Sequence, residues 1–200
     1  MVFLEGRQHI NMKKKAYVII ACPRRDQSRT LFLGSAFLAM IKDKYDLVVT
    51  DVEKLDIKPK TKEDLDNPHC SEEVMNCIKN IHDSDKIIII APFWDMMFPS
   101  ILKVFIENTI IPGYTMNEED SLKKGPSKAE ELLLITTRGW NIKDESELDG
   151  ASYYLKALSF LWGVDRYKVI SAYGLDEEKK QVEYKLEKAI NELKAYAKEF

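Results

Sequence analysis

Four consecutive isoleucines, Ile87–Ile90, constrain the fold of this chain more than any other stretch. A β-branched run that is short and apolar throughout favours a strand buried on both faces, as in the interior of a parallel sheet. The run leads into an aromatic segment, Phe93–Phe98, and then into a predicted helix over 99–110. In an open α/β sheet, ligands bind where a buried strand ends and the next helix begins.

The rest of the chain alternates between predicted strands and predicted helices. The strands are predicted at 16–21, 46–52, 87–90, 131–137 and 167–172. The helices are predicted at 28–44, 71–82, 99–110, 152–162 and 176–198. This alternation predicts an α/β fold of the flavodoxin-like type, a doubly wound five-stranded parallel sheet in the order 2-1-3-4-5 with helices on both faces.

Composition narrows the class of protein. Residues 1–14 show no periodicity and are expected to form a flexible lead-in, with a single domain over 15–200. The 30 basic and 33 acidic residues, with no basic stripe, argue against nucleic-acid binding. Neither a signal peptide nor the ~20-residue apolar run of a membrane helix is present. Three cysteines and three histidines lack paired or ligand spacing, which favours a cytoplasmic protein with reduced thiols and no metal site.

Three loops are expected to meet at the carboxyl edge of the sheet, at 22–30, 92–98 and 136–141. The first ends at a helix N-terminus that attracts anions, where Ser28 and Thr30 add hydroxyl groups. The second offers aromatic and thioether side chains that suit a flat ring. The third carries Gly139, where backbone can approach a ligand closely, beside Arg138. A phosphate pocket beside an apolar slot fits a mononucleotide with a planar head, and FMN is the leading candidate.

Each of these features also has an ordinary structural explanation. Ser28 could be only a helix cap, Phe93 and Trp94 could be core, and Arg138 with Gly139 could form a simple turn. Their convergence at one sheet edge favours a binding site. The glycine-rich phosphate loops and the hydrolase elbow G-x-S-x-G are absent from the sequence.

From about Lys15 onward, the chain resembles the FMN-dependent NADH-azoreductase and NAD(P)H:quinone reductase family of flavodoxin-like proteins. Its most specific stretch, Ala91–Lys103, reads A-P-F-W-D-M-x-x-P-x-x-L-K. That stretch is similar to the family's A-P-M-Y-N-F-x-x-P-x-x-L-K. Shorter similarities are S-R-T at 28–30, P-G-Y-T at 112–115, I-T-T-R-G-W at 135–140 and F-L-W-G-V-D at 160–165.

The resemblance implies an FMN-dependent enzyme that takes electrons from NADH or NADPH and then reduces a small flat aromatic acceptor, a quinone or an azo compound. It also implies a homodimer with FMN near the subunit interface. Because the cofactor carries the chemistry, no catalytic side chain is expected. The implied cofactor-binding residues are Ser28, Arg29 and Thr30 for the phosphate, Phe93, Trp94, Asp95 and Met96 along the isoalloxazine, and Thr137, Arg138, Gly139 and Trp140 from the fourth strand.

Two departures from the family pattern bear on function. Asp95 replaces an amide that can donate a hydrogen bond, so it is expected to lower the flavin reduction potential, and Trp140 replaces a glycine. The long loops 53–70 and 112–130 are expected to shape the substrate mouth. Two alternatives remain open: a flavodoxin-like electron carrier, and a cofactor-free interaction or regulatory domain of the same fold.

Overall fold

The computed structural model describes residues 13–120 and 122–200. Five parallel strands form one sheet in the order β2-β1-β3-β4-β5. The strands are β1 (Lys14–Ile20), β2 (Tyr45–Asp51), β3 (Lys86–Ile90), β4 (Glu131–Thr137) and β5 (Arg166–Ala172). The helices are α1 (Arg29–Ile41), α2 (Lys62–Asp66), α3 (Glu72–Asp83), α4 (Ser100–Thr109), α5 (Gly150–Trp162) and α6 (Lys179–Glu199). The predicted fold class and strand order are confirmed.

β3 is the central strand, and its four isoleucines are fully buried. Ile87 and Ile89 pack in the layer formed with α3, α4 and α5. Ile88 and Ile90 pack in the opposite layer, with α1 and α6. Because successive side chains of a strand point to opposite faces, an unbroken apolar run is needed wherever helices cover both faces.

α1 lies very close to the sheet because of Gly34. A Cβ atom on Gly34 would lie 2.6 Å from Cδ1 of Ile90, so a larger side chain would push the helix off β3. Ser28 caps the helix as predicted, since its Oγ accepts a hydrogen bond of 3.0 Å from the N–H of Leu31. Together, these contacts fix the N-terminus of α1 at the carboxyl edge of the sheet.

Element bounds differ from the predicted ones mainly at the ends. The loop predicted at 53–70 contains a short helix, α2. Thr61 and Asp64 form a capping box at its N-terminus. The predicted lead-in, residues 1–14, lies outside the described residues except for Lys13 and Lys14, and Lys14 already belongs to β1. None of the helices in the described part of the chain has the length and apolar character to cross a bilayer.

The segment 112–130 lies at the amino edge of the sheet. The N–H of Lys128 donates to the carbonyl of His82, and the N–H of Ser127 donates to the carbonyl of Trp162, each over 2.9 Å. Both carbonyl groups belong to helices that lead into the next strand. α4 starts at the carboxyl edge and crosses the sheet, so the segment after it must return to where β4 begins.

Candidate functional site

A cavity of about 1050 Å³ opens at the carboxyl edge of the sheet, where β1 and β3 diverge to helices on opposite faces. The loops after β1, β3, β4 and β5 form its walls. All eleven residues implied by the resemblance line this cavity: Ser28, Arg29, Thr30, Phe93, Trp94, Asp95, Met96, Thr137, Arg138, Gly139 and Trp140. The structure therefore brings the three predicted loops together around one space.

Five further lining residues were not singled out from the sequence. Arg24, Gln27 and Pro92 lie in two of the predicted loops, whereas Leu175 and Asp176 follow β5. The sequence pattern predicts a helix from Asp176, whereas α6 begins only at Lys179. The glycine at 174 is the signal that the sequence offers, because glycine favours turns, and in the structure its φ is +68°.

No described residue of either long loop lines the cavity. The prediction that 112–130 shapes its mouth is wrong, because that segment lies at the opposite edge of the sheet. The segment 53–70 packs instead against α4, where Nδ2 of Asn108 donates to the carbonyl of Lys58 over 2.9 Å.

The N-terminus of α1 forms the polar end of the cavity. The first turn holds no acidic residue. The helix supplies no intrahelical acceptor for the N–H groups of Arg29 and Thr30, and no other acceptor is found for them among residues 13–120 and 122–200. Thr30 is buried, and its Oγ1 lies 2.5 Å from Oγ1 of Thr137. Open N–H groups at the positive end of the helix dipole make this end suited to an anion such as a phosphate.

Two arginines of the first loop also face the cavity. Nη1 of Arg29 donates to the carbonyl of Leu175 over 2.8 Å, so this side chain reaches from α1 to the loop after β5. Arg24 is exposed, and its guanidinium has no ion-pair or hydrogen-bond partner within the described ranges. The neighbouring Arg25 is paired with Asp51 and does not line the cavity. The first loop thus adds positive charge to the helix N-terminus.

A tight turn from Trp94 to Met97 forms another wall. The two end residues exchange N–H to carbonyl hydrogen bonds of 2.8 Å each, and the central residues have positive φ, +48° at Asp95 and +65° at Met96. Two positive φ values in a two-residue loop define a type I′ turn, in which Asp and Asn are better tolerated than most residues. The turn conformation therefore explains an Asp or an Asn at position 95, whatever ligand is bound.

Gly139 is needed for the packing of two adjacent loops. A Cβ atom here would lie 2.1 Å from Oδ2 of Asp176, a distance that no real contact allows. The N–H of Asp176 also donates to the carbonyl of Gly139 over 3.0 Å. The loops after β4 and β5 therefore form one paired wall of the cavity.

Arg138 lines the cavity, but its guanidinium is paired with two carboxylates. The side chain is fully buried, and Nη2 lies 2.8 Å from Oδ2 of Asp149 and 2.7 Å from Oδ1 of Asp144. Its guanidinium carbon also lies 4.6 Å from the ring centre of Phe93, a cation–π contact. Arg138 thus joins the acidic loop after β4 to an aromatic wall of the cavity, and two carboxylates balance its charge.

The two carboxyl groups around Arg138 have opposite pKa shifts. Burial raises the pKa of Asp144 above its usual value, and its contacts with Ser171 and Arg138 offset only part of this effect. Burial also opposes ionisation of Asp149, but hydrogen bonds from Ser152 and from the N–H of Glu145, with the nearby Arg138, hold its pKa below the usual value. Asp149 is therefore the firmly ionised partner of the arginine.

Comparison with known proteins finds relatives in both sequence and fold. The chain is 26% identical over 200 residues to the FMN-dependent NADH:quinone oxidoreductase of Clostridium beijerinckii, which covers 94% of this chain and 100% of the relative. An azoreductase structure from Bacillus anthracis superposes with a TM-score of 0.77 at 18% identity, covering 94% and 100% of the two chains. A structure of an FMN-dependent NADH-azoreductase from the same species, in complex with FMN, has a TM-score of 0.69 at 17% identity, covering 93% and 99%.

The two solved structures support the fold alone, because their sequence identities to this chain are low. The model of the Flavodoxin_2 family, described as a flavodoxin-like fold, matches residues 14–197 of the chain. This match includes all five strands and extends into α6. The chain therefore belongs to the Flavodoxin_2 family.

Proposed function

We propose that this protein is an FMN-dependent oxidoreductase that passes electrons from NADH or NADPH to quinones or azo compounds. The observation that carries the proposal is one cavity that joins an open helix N-terminus to aromatic walls. Its volume of about 1050 Å³ lies at the upper end of the range for small-molecule sites, which suits a cofactor together with a second flat ring. The name of the Clostridium beijerinckii relative supports the same activity.

The residues present fit FMN at both ends. The N–H groups of Arg29 and Thr30 would bind the phosphate, with Arg24 adding charge. Phe93, Trp94 and the turn that follows them would line the isoalloxazine. Among the described residues, the N–H groups of Asp95 and Met96 have no acceptor, which leaves them available to ring oxygens or nitrogens. Bound FMN would supply the two-electron chemistry, and the chain would hold and orient the reactants.

We propose in addition that the protein acts as a homodimer in the cytoplasm. One face of α5 supports a dimer, because Tyr153 and Phe160 are 53% and 47% exposed and seven residues apart. Leu148, just before the helix, is 57% exposed and extends the same apolar surface. Three free cysteines support a reducing compartment. Light scattering of the purified protein would give its mass, and Phe160→Glu should shift a dimer toward monomers.

A test of the activity begins with purification and addition of FMN. We expect bound FMN to raise the melting temperature, because a ligand that binds only the folded state stabilises it. We also expect NADH oxidation when menadione is present. Failure of FMN to stabilise the protein would favour the cofactor-free alternative. FMN binding with turnover only in the presence of a protein partner would favour the electron carrier.

A further inference from the structure

Charge is unevenly distributed around the cavity. The loop after β1 contributes two arginines, Arg24 and Arg29, beside the positive end of α1. The loops after β3 and β5 contribute two carboxylates, Asp95 and Asp176. Arg138 adds little positive charge, since Asp144 and Asp149 balance it. The two carboxylates of the cavity without a balancing cation therefore lie on the loops after β3 and β5.

Both carboxylates are available to a ligand. Asp95 and Asp176 are exposed, and within 13–120 and 122–200 neither side chain has an ion pair or a hydrogen bond. An unpaired carboxylate at the wall of a concave site repels an anionic ligand and attracts a cationic one. The low-dielectric walls strengthen this effect because they focus the electric field of the carboxylate.

Two indoles stand on the same walls. Trp94 and Trp140 are 40% and 64% exposed, and each lies beside the cavity. The third tryptophan, Trp162, is fully buried in the core. Large aromatic side chains left exposed at a concave site favour flat apolar ligands, which they contact by stacking.

We propose that these four side chains make the acceptor end of the cavity selective for flat aromatic compounds without negative charge, and that they disfavour sulfonated or carboxylated acceptors. The indoles supply affinity for the ring, and Asp95 and Asp176 supply the discrimination by repelling an anionic substituent. This proposal rests on the proposed function. It assigns the specificity to residues of the loops after β3, β4 and β5.

The test compares two acceptors that differ by one anionic group, 4-aminoazobenzene and its 4′-sulfonate. The FMN-loaded enzyme should have a higher kcat/KM for the uncharged dye. Asp95→Asn and Asp176→Asn should each lower the ratio of the two kcat/KM values roughly threefold, because an exposed charge interaction is worth a few tenths to 1 kcal/mol. A changed flavin potential would affect both dyes alike, so it cancels in the ratio. Asp46→Asn is the matched control, since Asp46 is exposed at the amino end of β2.

A binding measurement makes the test independent of turnover. Without NADH, each dye should quench the fluorescence of Trp94 and Trp140, and the sulfonate should bind more weakly. Trp140→Ala should weaken both dyes by a similar factor, roughly fivefold for a lost aromatic contact. Tyr184→Ala, an exposed aromatic on α6 outside the cavity, should change neither.

The outcomes separate the two proposals. Equal affinity and equal kcat/KM for the two dyes in the unmodified protein would overturn the proposed selectivity while leaving the activity intact. A ratio that Asp95→Asn and Asp176→Asn leave unchanged would overturn it as well. Absence of NADH oxidation with menadione would overturn the proposed function, and the fluorescence titration would still decide which dye the cavity prefers.

Discussion

Arg138 and Asp149 form a fully buried ion pair behind the cavity, with Nη2 and Oδ2 2.8 Å apart. Asp149 also caps α5, because its Oδ1 accepts a hydrogen bond of 3.1 Å from the N–H of Ser152. One pair thus connects the end of β4 to the start of a core helix. Phe93, which stacks on the guanidinium, lies on the cavity side of the same pair.

Arg138→Met should lower the free energy of unfolding by about 3 kcal/mol, because it leaves a buried carboxylate without its partner. Arg138→Lys should lose less, since it keeps the charge but cannot keep both the Nη2 contact with Asp149 and the Nη1 contact with the carbonyl of Ile142. Urea unfolding with FMN absent measures both values. If Arg138→Met lowers the free energy of unfolding no more than the substitution of an exposed residue does, the ion pair does not stabilise the fold.

The neighbouring carboxyl groups should respond to pH in opposite ways. The lowered pKa of Asp149 means that its contribution to stability is present above the pKa of the unfolded chain and is lost as pH falls through the lower folded value. The raised pKa of Asp144 means the reverse: its favourable contribution is present at low pH and is lost as pH rises through the folded value.

At pH 7, Asp149→Asn should therefore destabilise the protein by about 2 kcal/mol, as expected for a buried charged hydrogen-bond partner. Asp144→Asn should lower the free energy of unfolding much less than Asp149→Asn does, or should raise it. Urea unfolding of both variants between pH 3 and pH 8 gives the comparison. Equal losses at pH 7 would contradict the assignment of Asp149 as the ionised partner.

The sequence predicted the parts of the site that depend on local patterns. Ile87–Ile90 specify a strand covered on both faces, and Ser28 specifies a helix start, so the three loops followed from the strand order. The direction of the Arg138 guanidinium could not be predicted, because it depends on carboxylates from a polar loop with no periodic pattern. Asp176 was missed for a similar reason: its proximity to Gly139 arises only when β5 pairs with β4.

Two glycine substitutions should differ in cost because of what their new methyl groups would meet. Gly139→Ala meets the carboxylate of Asp176, which can rotate away, so we expect a loss of about 1 kcal/mol. Gly125→Ala meets the backbone carbonyl of Leu161 at 2.1 Å, which cannot move alone, so we expect about 3 kcal/mol. Thermal unfolding measures both.

A second substitution tests the cause of the smaller loss. Asp176→Gly in the Gly139→Ala background should restore most of the lost stability, because it removes the atoms in conflict. The same change combined with Gly125→Ala should restore nothing, since Asp176 is not among the atoms that the new methyl group would meet there. Rescue of both variants would point to a general effect of Asp176 on stability.

The three thiols should differ in reactivity. Cys70 is partly exposed, whereas Cys22 and Cys77 are buried. Burial also raises the pKa of Cys22 to about 11, which leaves little of the reactive thiolate at neutral pH. A colorimetric disulfide reagent should therefore label one thiol rapidly in the native protein and three in denaturant. Cys70→Ser should abolish the rapid phase, and its persistence would mean that a buried thiol is reached by local opening.

Asp95→Asn should raise the reduction potential of bound FMN. A carboxylate near the ring disfavours the added negative charge of the reduced cofactor, and an amide removes that repulsion. We expect a shift on the order of 20 mV, because an exposed charge interaction of about 1 kcal/mol corresponds to that value for two electrons. A dye-equilibration titration under anaerobic conditions measures the potential.

The substitution suits this purpose because Asn also tolerates the positive φ of +48° at position 95, so the type I′ turn is retained. Asp95→Ala would mix two effects on the potential, the loss of the charge and a shift of the cavity wall, since alanine strains the turn. Asp46→Asn should leave the potential unchanged, because that carboxylate lies at the amino end of β2. If Asp95→Asn also leaves the potential unchanged, the carboxylate points away from the ring, and the left-handed backbone alone accounts for an Asp in this turn.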